Sequence, residues 1–258
     1  MKKVIIIPAR LDSSRLPNKV LLDLKGKTVI QRVYEQCLKV KNIDGVYIAT
    51  DSSEIKEVCR SFTNHIILTK STHQSGTDRI GEAVAGIDCD VVLNVQGDEP
   101  FIDPNLIEEL VNSFNDDQVS MASAMSKIEN IKDLQDPNVE KVVVDTQNNA
   151  IYFSRAPIPF PRDHQEIIHS NEELNKHNFF RHIGIYGYKK DFLAKYIEMD
   201  QTNLEKLEKL EQWRVIENGF KIKMIEAATS LIGIDTREDY EEALKKYWFF
   251  NIVINSIP

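Results

Sequence analysis

The loop that follows the first apolar run of the sequence, Val4–Ile7, holds the side chains with the clearest chemical potential. It contains three cations, Arg10, Arg15 and Lys19, against one acid, Asp12, in a chain whose formal net charge is −8. The apolar run predicts a buried strand. Loops at the carboxyl end of a parallel strand are where α/β sheets bind phosphate-bearing ligands, and local positive charge is needed to hold an anion on an acidic protein. The alternative is an exposed basic loop paired with nearby acids.

A second candidate is Asp98, in the run Asn94–Pro100 at the end of another apolar segment. Gly97 permits close backbone approach there, and Asp98 supplies a hard oxygen ligand. A simple turn would use the same residue types. The position after a buried strand favours a Mg²⁺ site.

Asp235 lies just before the last predicted helix. Its local sequence favours a helix N-cap, because Glu238 follows three residues later. Two acids from distant parts of the chain could nonetheless hold one Mg²⁺, which usually takes one or two carboxylates plus substrate phosphates.

Two helical segments carry further polar candidates. Ser75 begins the third helix, whose free N–H groups could take a phosphate or a base edge, although capping by Ser75 or Thr77 explains the same residues. Glu211 and Arg214 are three residues apart on a helix, where they could form a surface ion pair.

Arg155, at a predicted strand end, and the segment Arg181–Tyr188 add two cations, an imidazole and two phenols. Together with Gln212, their composition suits a polyhydroxy acid. Cations would bind its carboxylate, and amide, imidazole and phenol groups its hydroxyls.

The elements that must position these residues alternate in the first half of the chain. Strands are predicted at 4–7, 46–50, 66–68 and 90–96, with helices at 28–38, from about 52, at 77–84 and after 104. This alternation predicts βαβ units around a parallel sheet, and therefore an α/β fold.

The second half has a different pattern. It predicts a hairpin at 141–145 and 150–154, strands at 183–188 and 221–225, and helices at 190–197, 204–218 and 236–246. A polar stretch at 163–178 predicts an exposed loop. His164, His169 and His177 lie in it, and solvated loop histidines are favoured over a metal cluster.

Composition excludes several classes of function. The chain has 258 residues and is 42% hydrophobic, enough for a sizeable core, and its acidity argues against nucleic-acid or anionic-membrane partners. Cys37, Cys59 and Cys89 have no disulfide or zinc spacing, which indicates a reducing compartment. The apolar stretch Tyr247–Ile254 is far below the ~20 residues of a membrane span. It is expected to pack on the body or on a partner subunit.

Several motifs follow one another from residue 4 to about 245: Ile-Pro-Ala-Arg at 7–10, Arg15-Leu16-Pro17 with Lys19, His73–Arg79, Asn94–Pro100, Ile151–Ala156, Arg181–Tyr188, Leu210–Gln212 and Asp235-Thr236. In this order they resemble the 3-deoxy-manno-octulosonate cytidylyltransferase family, also called CMP-Kdo synthetases.

The resemblance implies a Rossmann-like nucleotidyltransferase fold, a mostly parallel sheet flanked by helices with a smaller sugar-binding and dimerisation lobe. The whole chain would be one such domain, with a nucleotide-binding part at about 1–125 and 220–246, a lobe at about 126–219 and an apolar tail at 247–258. The implied activity is Mg²⁺-dependent transfer of CMP from CTP to the anomeric hydroxyl of 3-deoxy-manno-octulosonate (Kdo), releasing pyrophosphate. It implies a cytoplasmic homodimer that serves lipopolysaccharide biosynthesis.

The resemblance also implies roles for individual residues. Asp98 and Asp235 would bind Mg²⁺, and with Arg15 and Lys19 they form the expected catalytic set. CTP would be bound by Pro8, Ala9, Arg10, Arg15, Lys19, Ser75 and Asp98. The sugar acid would be bound by Gln96, Arg155, His182, Tyr186, Glu211 and Gln212.

Two positions depart from the family pattern. Asn18 stands where glycine is usual, although asparagine adopts left-handed backbone more readily than most residues. Val20 stands where proline is common. The alternative functions are a cytidylyltransferase for a related sugar acid such as 8-amino-Kdo, a hexose-1-phosphate nucleotidyltransferase, and a non-catalytic nucleotide-binding module on the same fold.

Overall fold

The computed structural model describes residues 1–13, 15–73, 75–162, 169–228 and 233–255, with side chains as far as residue 247. The chain forms two compact units, Met1–Glu108 with Leu231–Pro258, and Glu109–Ser230. The sequence pattern places the corresponding divisions at about 125 and 220.

The first unit alternates strands and helices, which confirms the predicted α/β class. Its elements are β1 Lys3–Ala9, α1 Val29–Cys37, β2 Gly45–Thr50, α2 Ser53–Cys59, β3 Ile66–Leu68, α3 Gly76–Val84, β4 Val91–Asn94, α4 Pro104–Ser113, which continues into the second unit, and α10 Arg237–Asn255. The fourth strand is shorter than the predicted 90–96.

The strands of the first unit are all parallel, in the order β3-β2-β1-β4. β1 lies between two neighbours and is buried at every position, as expected of a central strand covered by helices on both faces. Ile6 pairs with Asn94 and Ala9 with Thr50. The carboxyl ends of β1, β2 and β4 therefore meet at one edge of the sheet.

The second unit is mostly antiparallel. Its elements are β5 Met121–Lys127, α5 Ile131–Gln135, β6 Lys141–Val144, β7 Ala150–Ser154, α6 Asn171–Leu174, β8 Phe180–Lys189, α7 Lys190–Ile197, α8 Asn203–Glu208, α9 Gln212–Glu217 and β9 Lys223–Glu226. The predicted hairpin is confirmed as β6 and β7. β8 pairs antiparallel with both β5 and β6, and β9 pairs parallel with β5.

The sequence pattern missed β5 and misjudged one helix. β5 is built largely of Ala, Met and Ser, which have weak strand preference. The helix predicted over 204–218 is two helices, because Lys209 ends α8 in the left-handed conformation with φ 56°. Glu205 and Arg214 form a buried, two-pronged ion pair that joins α8 to α9.

The predicted loop at 163–178 contains the short helix α6, with His169 and His177 exposed. His164 lies outside the described residues. The apolar tail continues α10 as far as Asn255, and the Tyr247 ring packs against Phe101. Its side chains beyond 247 lie outside the described residues.

The three cysteines are buried free thiols. Burial raises the pKa of Cys59 to about 12. The thiols are therefore packing residues.

Candidate active site

The loops after β1 and β4 emerge beside one another, because the two strands are parallel neighbours. At this edge the backbone at Gly97 packs closely against that of Pro8. A Cβ added to Gly97 would lie 2.9 Å from the Pro8 carbonyl oxygen. Real Cβ atoms do not approach a backbone oxygen that closely. The close approach that the sequence predicts for Gly97 is confirmed.

Lys19 brings the two predicted aspartates together. Its ammonium donates to Asp235 Oδ1 over 2.7 Å and forms an ion pair with Asp98 Oδ2. The Lys19 side chain is 14% exposed. Burial alone would lower its pKa, but the two carboxylates outweigh burial and raise it. Lys19 therefore stays positively charged between the two carboxylates.

Arg15 completes the charge cluster. Its Nη2 atom lies 3.0 Å from Asp235 Oδ2, and both side chains are about half exposed, at 56% and 48%. Arg10 follows β1 directly and is also exposed. These cations are accessible to an anionic ligand.

Apolar neighbours fix the positions of the charged residues. Leu16 and Ile234 belong to one buried cluster, which also contains Leu24, Val29, Tyr240 and Ala243. The Ile234 N–H donates to the Asp98 carbonyl over 2.9 Å. Sequence-distant loops therefore meet through a shared apolar core.

The expectation that Asp235 caps the last helix is wrong. Thr236 is the residue before α10, and its Oγ1 accepts from Asp239 N over 3.2 Å. Asp239 accepts in return from Thr236 N over 2.8 Å. This reciprocal Thr-x-x-Asp pattern resembles a capping box, and it frees the Asp235 carboxylate for Lys19 and Arg15.

Asn18 adopts the left-handed conformation, with φ 56° and ψ 23°, immediately before the 3₁₀ turn Lys19–Leu21. The Asn18 N–H also closes the loop by donating to the Leu11 carbonyl over 3.3 Å. Asparagine therefore adopts the backbone that glycine would take most readily.

These side chains line a polar cavity of about 230 Å³. The lining includes every predicted CTP-binding, metal-binding and catalytic residue, together with Gln96: Pro8, Ala9, Arg10, Arg15, Lys19, Ser75, Gln96, Asp98 and Asp235. The sequence pattern did not single out as ligands the other lining residues: Asp12, Ser13, Val20, His73, Gly76, Arg79 and Gly97.

Ser75 is the N-cap of α3. Its hydroxyl accepts from Asp78 N over 3.1 Å, and Asp78 accepts in return from Ser75 N. The capping interpretation of this motif is correct, and the cap directs the first turn of α3 towards the cavity.

Arg79 is buried, and it donates to Thr69 Oγ1 over 2.6 Å and to Asp51 Oδ2 over 2.8 Å. It joins the ends of β2 and β3 to α3. His73 is paired with Glu82, which lowers the pKa of that carboxyl. Both cavity-lining residues support the α3 terminus.

The second unit contains the other predicted sugar-site residues: Arg155, His182, Tyr186, Glu211 and Gln212. Gln212 Nε2 joins three groups of this unit, lying 3.1 Å from Tyr186 Oη, 3.0 Å from His182 Nδ1 and 3.1 Å from Glu140 Oε2. Burial, with the charge of Glu140, raises the pKa of Tyr186, so its hydroxyl remains protonated. We call Arg155, His182, Tyr186, Gln212 and Glu140 the polar cluster.

Arg155 is held by backbone carbonyls. Its Nε donates to Glu208 O over 2.7 Å and its Nη1 to Pro137 O over 3.0 Å. The Glu208 carboxylate accepts from Arg155 N and from Ser154 Oγ. The guanidinium therefore keeps a fixed place at the end of α8.

The alternative of a surface ion pair between Glu211 and Arg214 does not describe where Arg214 lies. Arg214 is buried and bonds Glu205, with Nε 3.0 Å from Oε2. Glu211 precedes α9, and its carbonyl accepts from Tyr196 Oη.

Sequence reasoning also missed Glu140, Glu208 and Ser123. No local motif marks them, because each reaches its partners through strand pairing or a distant helix.

Among the described residues, no three His, Cys, Asp or Glu side chains group as a metal site. Asp98 and Asp235 alone still fit Mg²⁺, which takes one or two carboxylates plus substrate oxygens. Within the same residues, no helix combines the length and hydropathy that a membrane span requires.

The cytidylyltransferase family model matches residues 4–224. The chain belongs to the cytidylyltransferase family. It is therefore an enzyme of nucleotidyl transfer.

Named relatives match this cytidylyltransferase over nearly its whole length. The 3-deoxy-manno-octulosonate cytidylyltransferase of Francisella tularensis subsp. holarctica is 48% identical, covering 94% of this chain and 97% of that protein. The enzyme of the same name from Geobacter metallireducens is 40% identical, covering 98% and 100%.

A solved structure confirms the predicted fold of this cytidylyltransferase. A CMP:2-keto-3-deoxy-manno-octonic acid synthetase complexed with CTP superposes with a TM-score of 0.88 at 36% identity, covering 96% of this chain and 99% of that one.

Proposed function

We propose that this enzyme transfers CMP from CTP to the anomeric hydroxyl of Kdo and releases pyrophosphate. The observation that supports this most directly is that Asp98 and Asp235 both contact Lys19, in a cavity bordered by further cations. The names of the full-length relatives and the CTP complex of the similar structure support the choice of substrates.

The cations after β1 suit the triphosphate. Arg10 and Arg15 are exposed beside the cavity, and Lys19 lies within it, so three positive charges face a strongly anionic group. Pro8, Ala9 and the Ser75 end of α3 border the same cavity and would contact the cytidine.

Asp98 and Asp235 would hold Mg²⁺, which when bound would neutralise phosphate charge and lower the pKa of the attacking hydroxyl. The two carboxylates fit this role because both already coordinate one cationic group, the Lys19 ammonium.

The polar cluster, with Glu211, would bind the sugar acid. Gln96, which the resemblance also assigns to the sugar, lines the cavity of the first unit. Arg155 supplies positive charge for the carboxylate, and Tyr186 supplies a protonated hydroxyl. This assignment follows the family motifs at these positions.

The transfer needs no covalent enzyme intermediate. The sugar hydroxyl oxygen forms a bond to the α-phosphorus, and the bond from that phosphorus to the α,β-bridging oxygen breaks, so that pyrophosphate leaves. Arg15 and Lys19 would stabilise the charge that accumulates on the departing pyrophosphate.

We further assign the enzyme to the cytoplasm, to lipopolysaccharide biosynthesis and to a homodimer, as the family resemblance implies. Three buried free thiols suit a reducing compartment. Strand β7 pairs only with β6 among the described strands, and it exposes Ile151 and Tyr152. Apolar side chains on an edge strand suit a contact with a second copy, which light scattering of the purified protein would measure.

A single assay tests the proposed reaction. Purified enzyme with Mg²⁺, each nucleoside triphosphate and a panel of sugar acids and sugar phosphates is scored by pyrophosphate release. We expect release only with CTP and Kdo. Preference for 8-amino-Kdo would change the sugar, preference for a hexose phosphate would change the enzyme class, and CTP binding without release would indicate a binding module.

A further inference from the structure

Glu140 lies at the centre of the polar cluster, and none of the sequence motifs points to it. It precedes β6, and its backbone oxygen accepts from His182 N over 2.8 Å. Its Oε2 lies 2.9 Å from His182 Nδ1 and 3.1 Å from Gln212 Nε2, and its Oε1 lies 3.8 Å from Arg155 Nη2. One carboxylate therefore contacts three of the residues assigned to the sugar acid.

The His182 ring is held at both nitrogens. Ser123 Oγ gives its single proton to the Ile185 carbonyl at 2.8 Å, so it accepts from His182 Nε2 at 2.8 Å. An ionised carboxylate only accepts, so Nδ1 donates to Glu140. This hydrogen-bonding pattern requires a proton on each ring nitrogen, and both nitrogens are already bonded to protein groups.

This arrangement changes the expected role of His182. A ring whose two nitrogens already donate to protein groups does not supply a free nitrogen to a sugar hydroxyl. The His182 ring lies beside Tyr186, with ring centroids 5.4 Å apart. The side chain that fixes this state is Glu140.

Glu140 also directs the Gln212 amide. With Nε2 donating to the Glu140 carboxylate and to Tyr186 Oη, the Tyr186 hydroxyl proton remains available for another acceptor. Gln212 Nε2 and His182 Nδ1 lie 3.0 Å apart because both donate to the same Glu140 Oε2. Without the carboxylate, the amide would lose the acceptor that orients it.

We propose that Glu140 is the positioning residue of the sugar-acid site, and that it fixes the protonated His182 ring and the Gln212 amide. This inference rests on the proposed function. Its charge is matched locally, since Arg155 and His182 are the cations beside it, so an incoming carboxylate does not meet an unpaired negative group.

Glu140→Gln tests the proposal, because it preserves size and removes the charge. Glu129→Gln is the matched control, since Glu129 is exposed in the same unit. We expect the KM for Kdo to rise about tenfold to hundredfold, as for loss of a charged hydrogen bond. The KM for CTP should stay within about twofold, because Glu140 is not among the residues that line the CTP cavity.

A spectroscopic measurement separates positioning from general damage. In ¹⁵N spectra of the His182 ring, the native protein should show two protonated nitrogens, and Glu140→Gln should show one. Glu140→Asp keeps the charge on a shorter arm, so it should keep both protons and still raise the KM for Kdo.

The outcomes are distinct. Unchanged ring signals, or changed signals with an unchanged KM for Kdo, would overturn the role of Glu140. If the native enzyme releases no pyrophosphate from CTP and Kdo, the proposed function fails, while the ring spectra still decide whether Glu140 sets the state of His182.

Discussion

Lys19 donates a hydrogen bond to Asp235 over 2.7 Å, although the two residues lie near opposite ends of the chain. The same ammonium is paired with Asp98. The first loop, the β4 end and the segment before the last helix thus share one electrostatic centre.

Neutralising either aspartate should stop the chemistry without unfolding the protein. We expect Asp98→Asn and Asp235→Asn each to lower turnover at least ~100-fold, because each removes a charge from the proposed metal site. Pyrophosphate release with CTP and Kdo measures this, and calorimetric titration with Mg²⁺ should show weaker binding. Asp117→Asn, at a fully exposed side chain, should behave as the native enzyme. Near-native rates in either site variant would refute the assignment.

Lys19→Met should separate charge from packing, since it keeps most of the side-chain volume. Turnover should fall about 100-fold, because a cation near the departing pyrophosphate is lost. Steady-state pyrophosphate release and circular dichroism provide the measurement. Lys39→Met, at an exposed lysine bonded to Gln36, is the control. If Lys19→Met released pyrophosphate at the native rate, Lys19 would only balance the aspartates.

Gly97→Ala should disturb both stability and activity. The new methyl would lie 2.9 Å from the Pro8 carbonyl oxygen, so β1 and β4 would have to move apart at the cavity. We expect a loss of about 1–3 kcal/mol in the free energy of unfolding, as for overpacking. Gly86→Ala has no atom within 4 Å of its new Cβ and should cost nothing. Urea unfolding compares the two, and equal stabilities would contradict the close approach.

Asn18 should tolerate glycine and reject a branched side chain. Its φ of 56° is left-handed, which costs a residue such as valine about 1–2 kcal/mol. Asn18→Val should therefore destabilise the loop and lower activity, whereas Asn18→Gly should remain close to native. Thermal melting and pyrophosphate release measure both, and the opposite order would show that the side chain matters more than the backbone.

Glu140 should make stability depend on pH in the acid range. Burial opposes ionisation, but the bond and charge of His182, with Arg155 and Gln212, outweigh it and hold the pKa below its ordinary 4.5. Because the pKa is lower in the folded than in the unfolded protein, the ionised carboxylate contributes its full stability above the unfolded pKa. This contribution is lost as the pH falls through the folded pKa. The native protein should therefore exceed Glu140→Gln in unfolding free energy at about pH 7 and progressively lose that advantage as the pH falls below 4.5. Urea titrations at several pH values would show a constant difference if the pairing were unimportant.

Local sequence determined the alternating elements of the first unit and the chemical residue types of both sites. Buried strands and amphipathic helices repeat with fixed periods, so β1 and α1 follow from neighbouring residues alone. The left-handed Asn18 also followed from a local preference.

Only the tertiary structure decided which carboxylate pairs with the cations and which residue caps the last helix. Locally Asp235 is as good a cap as Thr236, and the choice depends on Lys19 and Arg15 arriving from a distant loop. Local sequence also did not reveal β5, the helix break at Lys209 or the central place of Glu140. Each depends on pairing between segments far apart in the chain, and such contacts leave no periodic trace in the residues that make them.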